Sequence, residues 1–241
     1  MKISNRLKTV ADLVPKKVTA LDVGCDHALL DIYLVKEKKV TKIYASDVNE
    51  KPLENAKENI KREKLDKKIE LLLGNGLDVY KEDIDTVIIS GMGGLTIKGI
   101  FRNNINITNR LKYIIISPNN YQRDIKEFLT KNGFVISDEK LVEDKKIMYQ
   151  VIRFERGKAK YSKSDYFFGP VLRQNKDDLF KKYYLKEKLS REILLNILPK
   201  NYRLKKIKLK KEIKLIDNEI KWFISLFYEF FYYFINYKRM F

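Results

Sequence analysis

Cysteine and histidine are almost absent from the chain, which has one of each, Cys25 and His27, among 241 residues. One cysteine excludes a disulfide framework and any zinc cluster built from cysteines. One histidine excludes a multi-histidine metal site and leaves little room for a Ser-His-Asp triad. The sequence therefore predicts a protein without a bound metal.

A secretory leader is also missing, because the opening residues MKISNRLKTV lead into no apolar segment. The cytoplasm is therefore the expected compartment. Hydrophobic residues make up 44% of the chain and aromatic residues 12%, which is enough for a packed core and excludes a wholly disordered protein. No feature of the sequence points to an obligate protein partner.

The formal charge of +18 is unevenly distributed. Residues 1–156 hold 29 lysines and arginines against 23 acidic residues, whereas residues 157–241 hold 21 against 9. A concentration of positive charge in the last third attracts polyanions, with nucleic acid as the first expectation and an anionic membrane surface as the second.

Residues 1–156 alternate between apolar segments typical of strands and amphipathic segments typical of helices, beginning with a short helix capped by Ser4. The last two apolar segments alternate with period two and predict an antiparallel hairpin. Five strand–helix units followed by a hairpin predict an α/β fold with a mostly parallel, doubly wound sheet. The expected strands are Val18–Val23, Lys42–Asp47, Ile69–Leu73, Thr86–Ser90, Tyr113–Ser117, Phe134–Leu141 and Ile147–Phe154.

Polar or glycine-rich residues follow each of the first five strands. Ligands of open α/β sheets bind beyond the carboxyl ends of the strands, so these residues predict a ligand site along one edge. The segments concerned are Asp22–His27, Asp47, Gly74–Gly76, Ser90–Gly94 and Ser117–Asn120.

The loop after the first strand indicates which cofactor this edge accepts. Gly24 allows the backbone to approach a ligand, but Asp26 and Ala28 stand where a dinucleotide-binding loop has further glycines. A carboxylate at Asp26 repels a pyrophosphate and favours a cofactor that carries positive charge. S-adenosylmethionine has a sulfonium and an amino group and no phosphate, so methyl transfer is favoured over a nicotinamide-dependent oxidoreductase, which stays the alternative.

Two further positions match a nucleoside cofactor. Asp47 ends the second strand, 23 residues after Gly24, where a carboxylate accepts hydrogen bonds from ribose hydroxyls. Asn75, between Gly74 and Gly76, ends the third strand, where an amide could contact the edge of the cofactor's adenine.

Several of these motifs together resemble the bacterial tRNA (adenine-N1)-methyltransferase family TrmK, which modifies adenine 22. The resemblance covers about residues 3–155 and implies a class I, Rossmann-like S-adenosylmethionine domain followed by a coiled-coil domain. The motifs are Ile3–Leu7, Asp22–Ala28, Asn75–Leu77, Ser90–Gly94 and Ser117–Asn119. The resemblance implies that Gly24, Asp47, Asn75 and Gly76 contact the cofactor. The complete cofactor site predicted from the sequence consists of Asp22, Gly24, Asp47, Val48, Asn75, Gly76 and Gly91.

The predicted catalytic residues are Asp26, His27 and Asn119. The adenine nitrogen is neutral and attacks without prior deprotonation, and the product base is cationic, so the Asp26 carboxylate is expected to stabilise the developing charge. His27 could orient Asp26, pair with a substrate phosphate, or only pack. Asn119 offers a donor and an acceptor that suit a Watson–Crick edge.

The last third predicts two amphipathic helices that form an antiparallel hairpin, with apolar stripes from Leu172 to Ile197 and from Leu209 to Ile220. Residues 200–214 contain eight basic residues and one acidic residue. This charge predicts RNA binding by residues 157–221, although a solvated coiled-coil face and a non-catalytic RNA-binding module are alternatives. The expected RNA contacts are Arg6, Lys8, Lys205, Lys206 and Lys210.

The tail, residues 222–241, is apolar and aromatic. A membrane-spanning helix needs about 20 apolar residues, so this segment is marginal for that role. Its function is left open, and so is contact with a membrane.

Overall fold

The computed structural model describes residues 3–37 and 39–237, with side chains up to residue 221. The strands are β1 (Val18–Val23), β2 (Val40–Asp47), β3 (Ile69–Leu73), β4 (Thr86–Ser90), β5 (Tyr113–Ser117), β6 (Phe134–Asp144) and β7 (Ile147–Arg156). The helices are α1 (Asn5–Leu13), α2 (Leu29–Lys36), α3 (Glu50–Arg62), α4 (Gly94–Asn103), α5 (Ile105–Thr108), α6 (Gln122–Lys131), α7 (Lys163–Phe168), α8 (Pro170–Asn175), α9 (Asp178–Ile197) and α10 (Arg203–Tyr237).

The strands form one seven-stranded sheet in the order β3-β2-β1-β4-β5-β7-β6. The first five strands pair in parallel, and β7 pairs antiparallel with both β5 and β6. The strand order reverses between β1 and β4, which places the predicted ligand edge at the switch point of a doubly wound sheet. The fold class predicted from the sequence is therefore confirmed.

The central strands are apolar along their whole length because both faces of the sheet are covered. Successive residues of β5 illustrate this, since Ile115 packs into one apolar cluster and Ile114 and Ile116 pack into the other. Helix residues such as Val10 and Ile32 belong to the first cluster, and residues such as Phe101 and Leu129 belong to the second. The sheet is thus held rigid beneath its carboxyl edge.

The chain divides into two compact units, Met1–Gln174 and Asn175–Phe241. The first contains the sheet together with α7, which packs on α6. The second contains α9 and α10, and ion pairs join α10 to α9 and to Lys176, which lies just before α9. The pairs connect residues in opposite chain order, as in an antiparallel hairpin. These pairs are Lys176–Glu219, Lys188–Asp217 and Arg191–Glu212. The helix pair is confirmed, whereas the functional boundaries at residues 156 and 221 stay predictions.

The apolar stripe predicted for the first C-terminal helix differs from the one observed. Leu172 lies in the separate helix α8, and Ile193 and Ile197 are exposed by 54% and 71%. Helix α9 instead buries Phe180 and Tyr184, whose rings are 4.7 Å apart. Aromatic packing therefore determines which face of α9 is buried. The buried residues follow the predicted residues Leu179 and Tyr183 by one position. On α10 the predicted residues Leu209, Ile216 and Ile220 are buried.

Within the described residues, no helix combines the length and the hydropathy that crossing a bilayer requires. The prediction of an apolar tail concerns side chains beyond residue 221, which lie outside the described part. Among the described residues there is also no group of three metal-ligating side chains.

A fully buried ion pair joins α6 to β6. Lys126 Nζ lies 3.3 Å from Glu139 Oε1, and Gln150 donates a 3.0 Å hydrogen bond to the same oxygen. The other oxygen, Oε2, accepts a 3.0 Å hydrogen bond from the backbone N–H of Val171 at the start of α8. Burial lowers the pKa of Lys126 and raises that of Glu139, and their mutual attraction opposes both changes. Glu139 thus anchors the end of the first unit.

Replacing Glu139 with glutamine should strongly destabilise the first unit, because Lys126 would stay buried without an anion. Breaking one partner of a buried pair costs roughly 3–5 kcal/mol, whereas replacing both with apolar residues costs much less. Denaturant unfolding of Glu139→Gln and of the double variant Lys126→Met/Glu139→Met would measure both values. Equal stability of Glu139→Gln and the unchanged protein would show that the pair is not ionised.

Candidate active site

A pocket of about 260 Å³ opens at the carboxyl ends of β1 and β4. Its wall combines the β1 loop with the end of β4 and the first helix. The lining residues are Arg6, Leu7, Asp22, Gly24, Cys25, Asp26, His27, Leu29, Leu30, Ser90 and Gly91. Five predicted site residues (Asp22, Gly24, Asp26, His27 and Gly91) therefore share one pocket with Arg6.

The β1 loop is held by the neighbouring strand. The backbone N–H groups of Gly24 and Cys25 both donate to the carbonyl of Ser46, at 2.8 and 2.9 Å. Gly24 has φ of +80°, and a Cβ atom there would lie 2.5 Å from the methyl carbon of Met92. Glycine has no Cβ atom, so it alone adopts this positive φ without strain and avoids the clash with Met92. The backbone of the loop can therefore approach a ligand closely.

Asp26 and His27 stand at the mouth of the pocket. Their side chains are 72% and 46% exposed, and Asp26 Oδ1 lies 3.5 Å from His27 Nε2. The carbonyl of His27 accepts a 3.0 Å hydrogen bond from the Asn59 amide of α3, which fixes the loop. Asp26 adopts φ of +52°, a left-handed conformation that is uncommon for aspartate. The two side chains are thus solvent-accessible and close enough to interact.

Two carboxyl groups are buried behind this loop, one of which the sequence predicted. Asp22 lies at the end of β1, and burial together with the negative charge of Asp47 raises its pKa to about 7. Asp31, on α2, is fully buried, and neither of its oxygens has a hydrogen-bond partner among the described residues. Burial and the nearby Asp22 raise the pKa of Asp31 as well. Ionisation of Asp22 and Asp31 is therefore unfavourable unless a cation binds nearby.

The residues predicted to hold the nucleoside part lie along the same edge but do not line this pocket. Asp47 ends β2, and its Oδ1 accepts a 3.0 Å hydrogen bond from the backbone N–H of Asn49. Val48 is 58% exposed, Asn75 is exposed, and Gly76 has φ of +58° in the turn after β3. The order β3-β2-β1 places these residues side by side, while their contacts to a cofactor stay predictions.

The loops after β4 and β5 bind each other closely. Asn119 donates through its Nδ2 to the carbonyl of Gly91 at 2.7 Å and through its backbone N–H to Met92 at 2.9 Å. Asn120 Oδ1 accepts from the N–H of Gly94 at 2.9 Å. Asn119 is exposed, and no described donor bonds to its Oδ1. The amide is therefore fixed in orientation with a free acceptor, although it does not line the pocket.

The predicted RNA contacts lie in three different settings. Arg6 is half-buried in the pocket wall, whereas Lys8 on the same helix is exposed and outside the pocket. Lys205 and Lys210 are exposed on α10, and Lys206 is half-buried there. Sequence reasoning missed Arg6 as a pocket residue because its position depends on packing of α1 against β6 and β7.

The pocket fits S-adenosylmethionine in its chemistry. It holds the buried carboxyl group of Asp22 for a cationic ligand and one guanidinium, Arg6, for an anionic group, and the exposed Asp26 stands at its mouth. The buried hydroxyl of Ser90 has no hydrogen-bond partner among the described residues and is free to bind a ligand. Such a set suits a ligand that carries both signs of charge and no pyrophosphate.

Comparison with known proteins agrees with this chemistry. A family model described as tRNA (adenine(22)-N(1))-methyltransferase, TrmK, matches residues 20–218. The Bacillus subtilis enzyme of that name is 30% identical over 194 residues, or 78% of this chain and 82% of the relative. The chain belongs to this family.

Two solved structures extend the match to the whole fold. The Streptococcus pneumoniae Sp1610 protein, in complex with S-adenosyl-L-methionine, has a TM-score of 0.84 and 31% identity over 91% of this chain and 100% of that chain. M. capricolum TrmK, in complex with S-adenosyl-homocysteine, has a TM-score of 0.82 and 29% identity over 92% of this chain and 99% of that chain.

Family membership confirms the recognition, the tRNA methyltransferase activity and the use of S-adenosylmethionine predicted from the sequence. It removes the support for the two alternatives, a nicotinamide-dependent oxidoreductase and a non-catalytic RNA-binding module. The roles of individual site residues stay predictions.

Cofactor affinity should depend on pH through Asp22. A bound cation favours the ionised carboxylate, so protonation of Asp22 below its pKa of about 7 competes with binding. We expect the dissociation constant for S-adenosylmethionine to rise as pH falls below 7, by at most about tenfold per pH unit. Calorimetric titration across this range would measure it. Asp22→Asn should flatten the profile and His27→Gln should preserve it, and the reverse pattern would contradict the assignment to Asp22.

Proposed function

We propose that this chain methylates N1 of adenine 22 in tRNA at the edge formed by the β1, β4 and β5 loops. The observation that carries the proposal is the pocket in which the carboxyl groups of Asp22 and Asp26 face a ligand site without a phosphate-binding loop. When bound there, S-adenosylmethionine supplies an electrophilic methyl group on its sulfonium. Because tRNA is the substrate, we place the enzyme in the cytoplasm.

Asp26 would act on the base. Methylation of N1 converts a neutral adenine into a cation, so an adjacent carboxylate stabilises the product and the transition state that precedes it. Asp26 is exposed at the pocket mouth, where a base extracted from the tRNA would arrive. His27 lies 3.5 Å away and would keep the carboxylate turned toward the pocket.

Asn119 would orient the base. One N–H of its Nδ2 donates to the Gly91 carbonyl, and no described donor bonds to its Oδ1, which leaves Oδ1 available as an acceptor. The exocyclic amino group of adenine is a donor beside N1, so an acceptor at Oδ1 would position N1 for attack. Guanine presents a carbonyl at the equivalent position and would be disfavoured.

Substitutions at these two residues should slow methylation while sparing cofactor binding. We expect Asp26→Asn and Asn119→Ala each to lower kcat/KM by roughly 10- to 100-fold, since each removes one stabilising or orienting contact. Labelled methyl transfer to unmodified tRNA, followed by nucleoside analysis, would measure the rate and identify the product.

The matched controls are Asp66→Asn and Asn109→Ala, which alter exposed residues in loops that lead into β3 and β5 at the opposite edge of the sheet. They should leave the rate unchanged. A loss of S-adenosylmethionine affinity in Asp26→Asn equal to its loss of rate would contradict a role on the base.

The tRNA would be held mainly by α10. Its three acidic residues up to residue 221 are already paired with basic residues of the same unit: Glu212 with Arg191, Asp217 with Lys188 and Glu219 with Lys176. Lys205, Lys206 and Lys210 form no ion pair within the described side chains. The helix therefore keeps an excess of positive charge, which suits phosphate binding.

The triple variant Lys205→Ala/Lys206→Ala/Lys210→Ala should weaken tRNA binding and leave the affinity for S-adenosylmethionine unchanged. The logarithm of the tRNA association constant falls linearly with the logarithm of the salt concentration, and each phosphate contact adds nearly one unit to the steepness of this slope. The slope of the triple variant should therefore be less steep by roughly two to three units. The control removes the same charge from α3, where acidic residues are interspersed: Lys51→Ala/Lys57→Ala/Lys61→Ala. An equal loss in both triples would indicate a general charge effect and not a binding surface.

A further inference from the structure

Tyr121 is the one exposed aromatic side chain among the described residues of the first unit, with 51% of its surface accessible. It is the N-cap residue of α6 and follows Asn119 by two positions. Within the described part of the chain, its ring stacks on no other ring and its hydroxyl has no hydrogen-bond partner. The Tyr121 side chain therefore contributes little to the packing of the sheet unit.

The backbone of Tyr121 is also strained. Its φ of +53° and ψ of +32° lie in the left-handed region, which is unfavourable for an aromatic residue and is adopted readily by glycine and asparagine. The β4 loop holds the β5 loop in this conformation, because Asn120 Oδ1 accepts from the N–H of Gly94 and a Cβ atom on Gly94 would lie 2.9 Å from the Tyr121 Cβ. The fold gains neither packing nor a favourable conformation from tyrosine here, so a contact with a ligand explains the residue better.

The position of Tyr121 indicates which ligand its ring would meet. The β5 loop is bonded to the end of β4 at Gly91, which lines the cofactor pocket. Asn75, which is predicted to contact the adenine of the cofactor, follows β3, and β3 lies four strand spacings from β5, or about 19 Å. The ring is thus remote from the predicted adenosine site and close in the chain to Asn119, the residue that would orient the substrate base.

A base that is extracted from RNA loses its stacking on both neighbouring bases. Enzymes that act on extracted bases replace this contact with aromatic or apolar side chains, which cover the face of the base. A tyrosine ring offers a flat π-face and carries no positive charge, so it suits a base and not a phosphate. Asn119 Oδ1 is available to the edge of the base, and the ring of Tyr121 is available to its face.

We propose that Tyr121 stacks on the extracted adenine and holds it against Asn119, so that the two residues contact the face and the edge of the same base. This inference rests on the proposed function, because it requires an adenine of tRNA as the methyl acceptor. It assigns to the exposed ring a part in substrate binding and none in cofactor binding.

The variant Tyr121→Asn tests the inference without weakening the fold, because asparagine is tolerated in the left-handed conformation. Its melting temperature should equal or exceed that of the unchanged protein, and its affinity for S-adenosylmethionine should be unchanged. Its kcat/KM for methylation of tRNA should fall by about 10- to 100-fold, as expected for the loss of one base–aromatic stack.

Three further variants separate an aromatic face from side-chain bulk. Tyr121→Phe and Tyr121→Trp keep a π-face and should retain most of the activity, since stacking does not need the hydroxyl. Tyr121→Leu keeps an apolar side chain without a π-face and should lose activity to nearly the same degree as Tyr121→Asn.

A binding cycle separates a contact with the base from a contact with the RNA backbone. The two ligands are unmodified tRNA and the same tRNA with an abasic nucleotide in place of adenine 22, with S-adenosyl-homocysteine present so that no methyl group is transferred. Tyr121→Asn should weaken the binding of unmodified tRNA by about tenfold or more and leave the binding of abasic tRNA unchanged. Asn109→Ala, which alters an exposed residue at the opposite edge of the sheet, should change neither affinity.

Equal weakening of both RNAs by Tyr121→Asn would place the ring against the backbone and would overturn the inference. An unchanged kcat/KM in Tyr121→Asn, or an equally low value in Tyr121→Phe, would also overturn it. A lower melting temperature in Tyr121→Asn would show that the tyrosine serves the fold, contrary to the inference. Failure of the unchanged protein to methylate unmodified tRNA would contradict the proposed function itself.

Discussion

Negative charge at the carboxyl end of β1 is the constraint on which the site depends. Asp22 and Asp31 are both buried, and Asp31 has no described hydrogen-bond partner. Burial raises the pKa of each, helped by the negative charge of Asp47 at Asp22 and of Asp22 at Asp31. The same surroundings raise the pKa of the Cys25 thiol, which makes it a poor nucleophile. An edge of this kind excludes pyrophosphate and gains from a cation, and this preference separates the site from a dinucleotide-binding site on a similar sheet.

The rest of the site is positioned by strand register. Ser90 of β4 is paired with Ser117 of β5, so the loops that follow begin level with each other. Because the two loops begin at paired residues, Asn119 can donate to the carbonyl of Gly91 and Asn120 can accept from the N–H of Gly94. A slip of one residue would turn these side chains to the other face of the sheet. The orientation of the Asn119 amide is thus a consequence of apolar packing in the strands below it.

The sequence predicted most of this edge because the parallel strands are short, largely apolar and bounded by glycine or polar residues. The strands β1, β3, β4 and β5 begin and end where the pattern places them. The hairpin strands β6 and β7 extend further than predicted, since their polar ends at Asp144 and Arg156 continue the pairing without apolar alternation.

What the sequence could not supply are long-range contacts. Arg6 reaches Gly91 and Tyr149, which are distant in the chain, and no local pattern encodes that approach. Asp31 sits within an apolar helical segment, LLDIYLVK, where periodicity gives no sign that both of its oxygens lack partners. The buried aromatic face of α9 was missed for a similar reason, because aliphatic spacing alone does not distinguish two adjacent helical faces.

An acidic pocket in a protein of net charge +18 is not a contradiction, since the two charges act on different parts of the substrate. At physiological salt the screening length is about 8 Å, so each charged surface acts only on groups close to it. In the proposed function, the lysines of α10 would attract phosphates, whereas Asp26 at the pocket mouth would repel them and accept a base that becomes cationic on methylation. These charges would keep the RNA backbone out of the pocket while they admit the base, so selectivity for a flipped nucleoside would follow from the sign of charge as much as from shape.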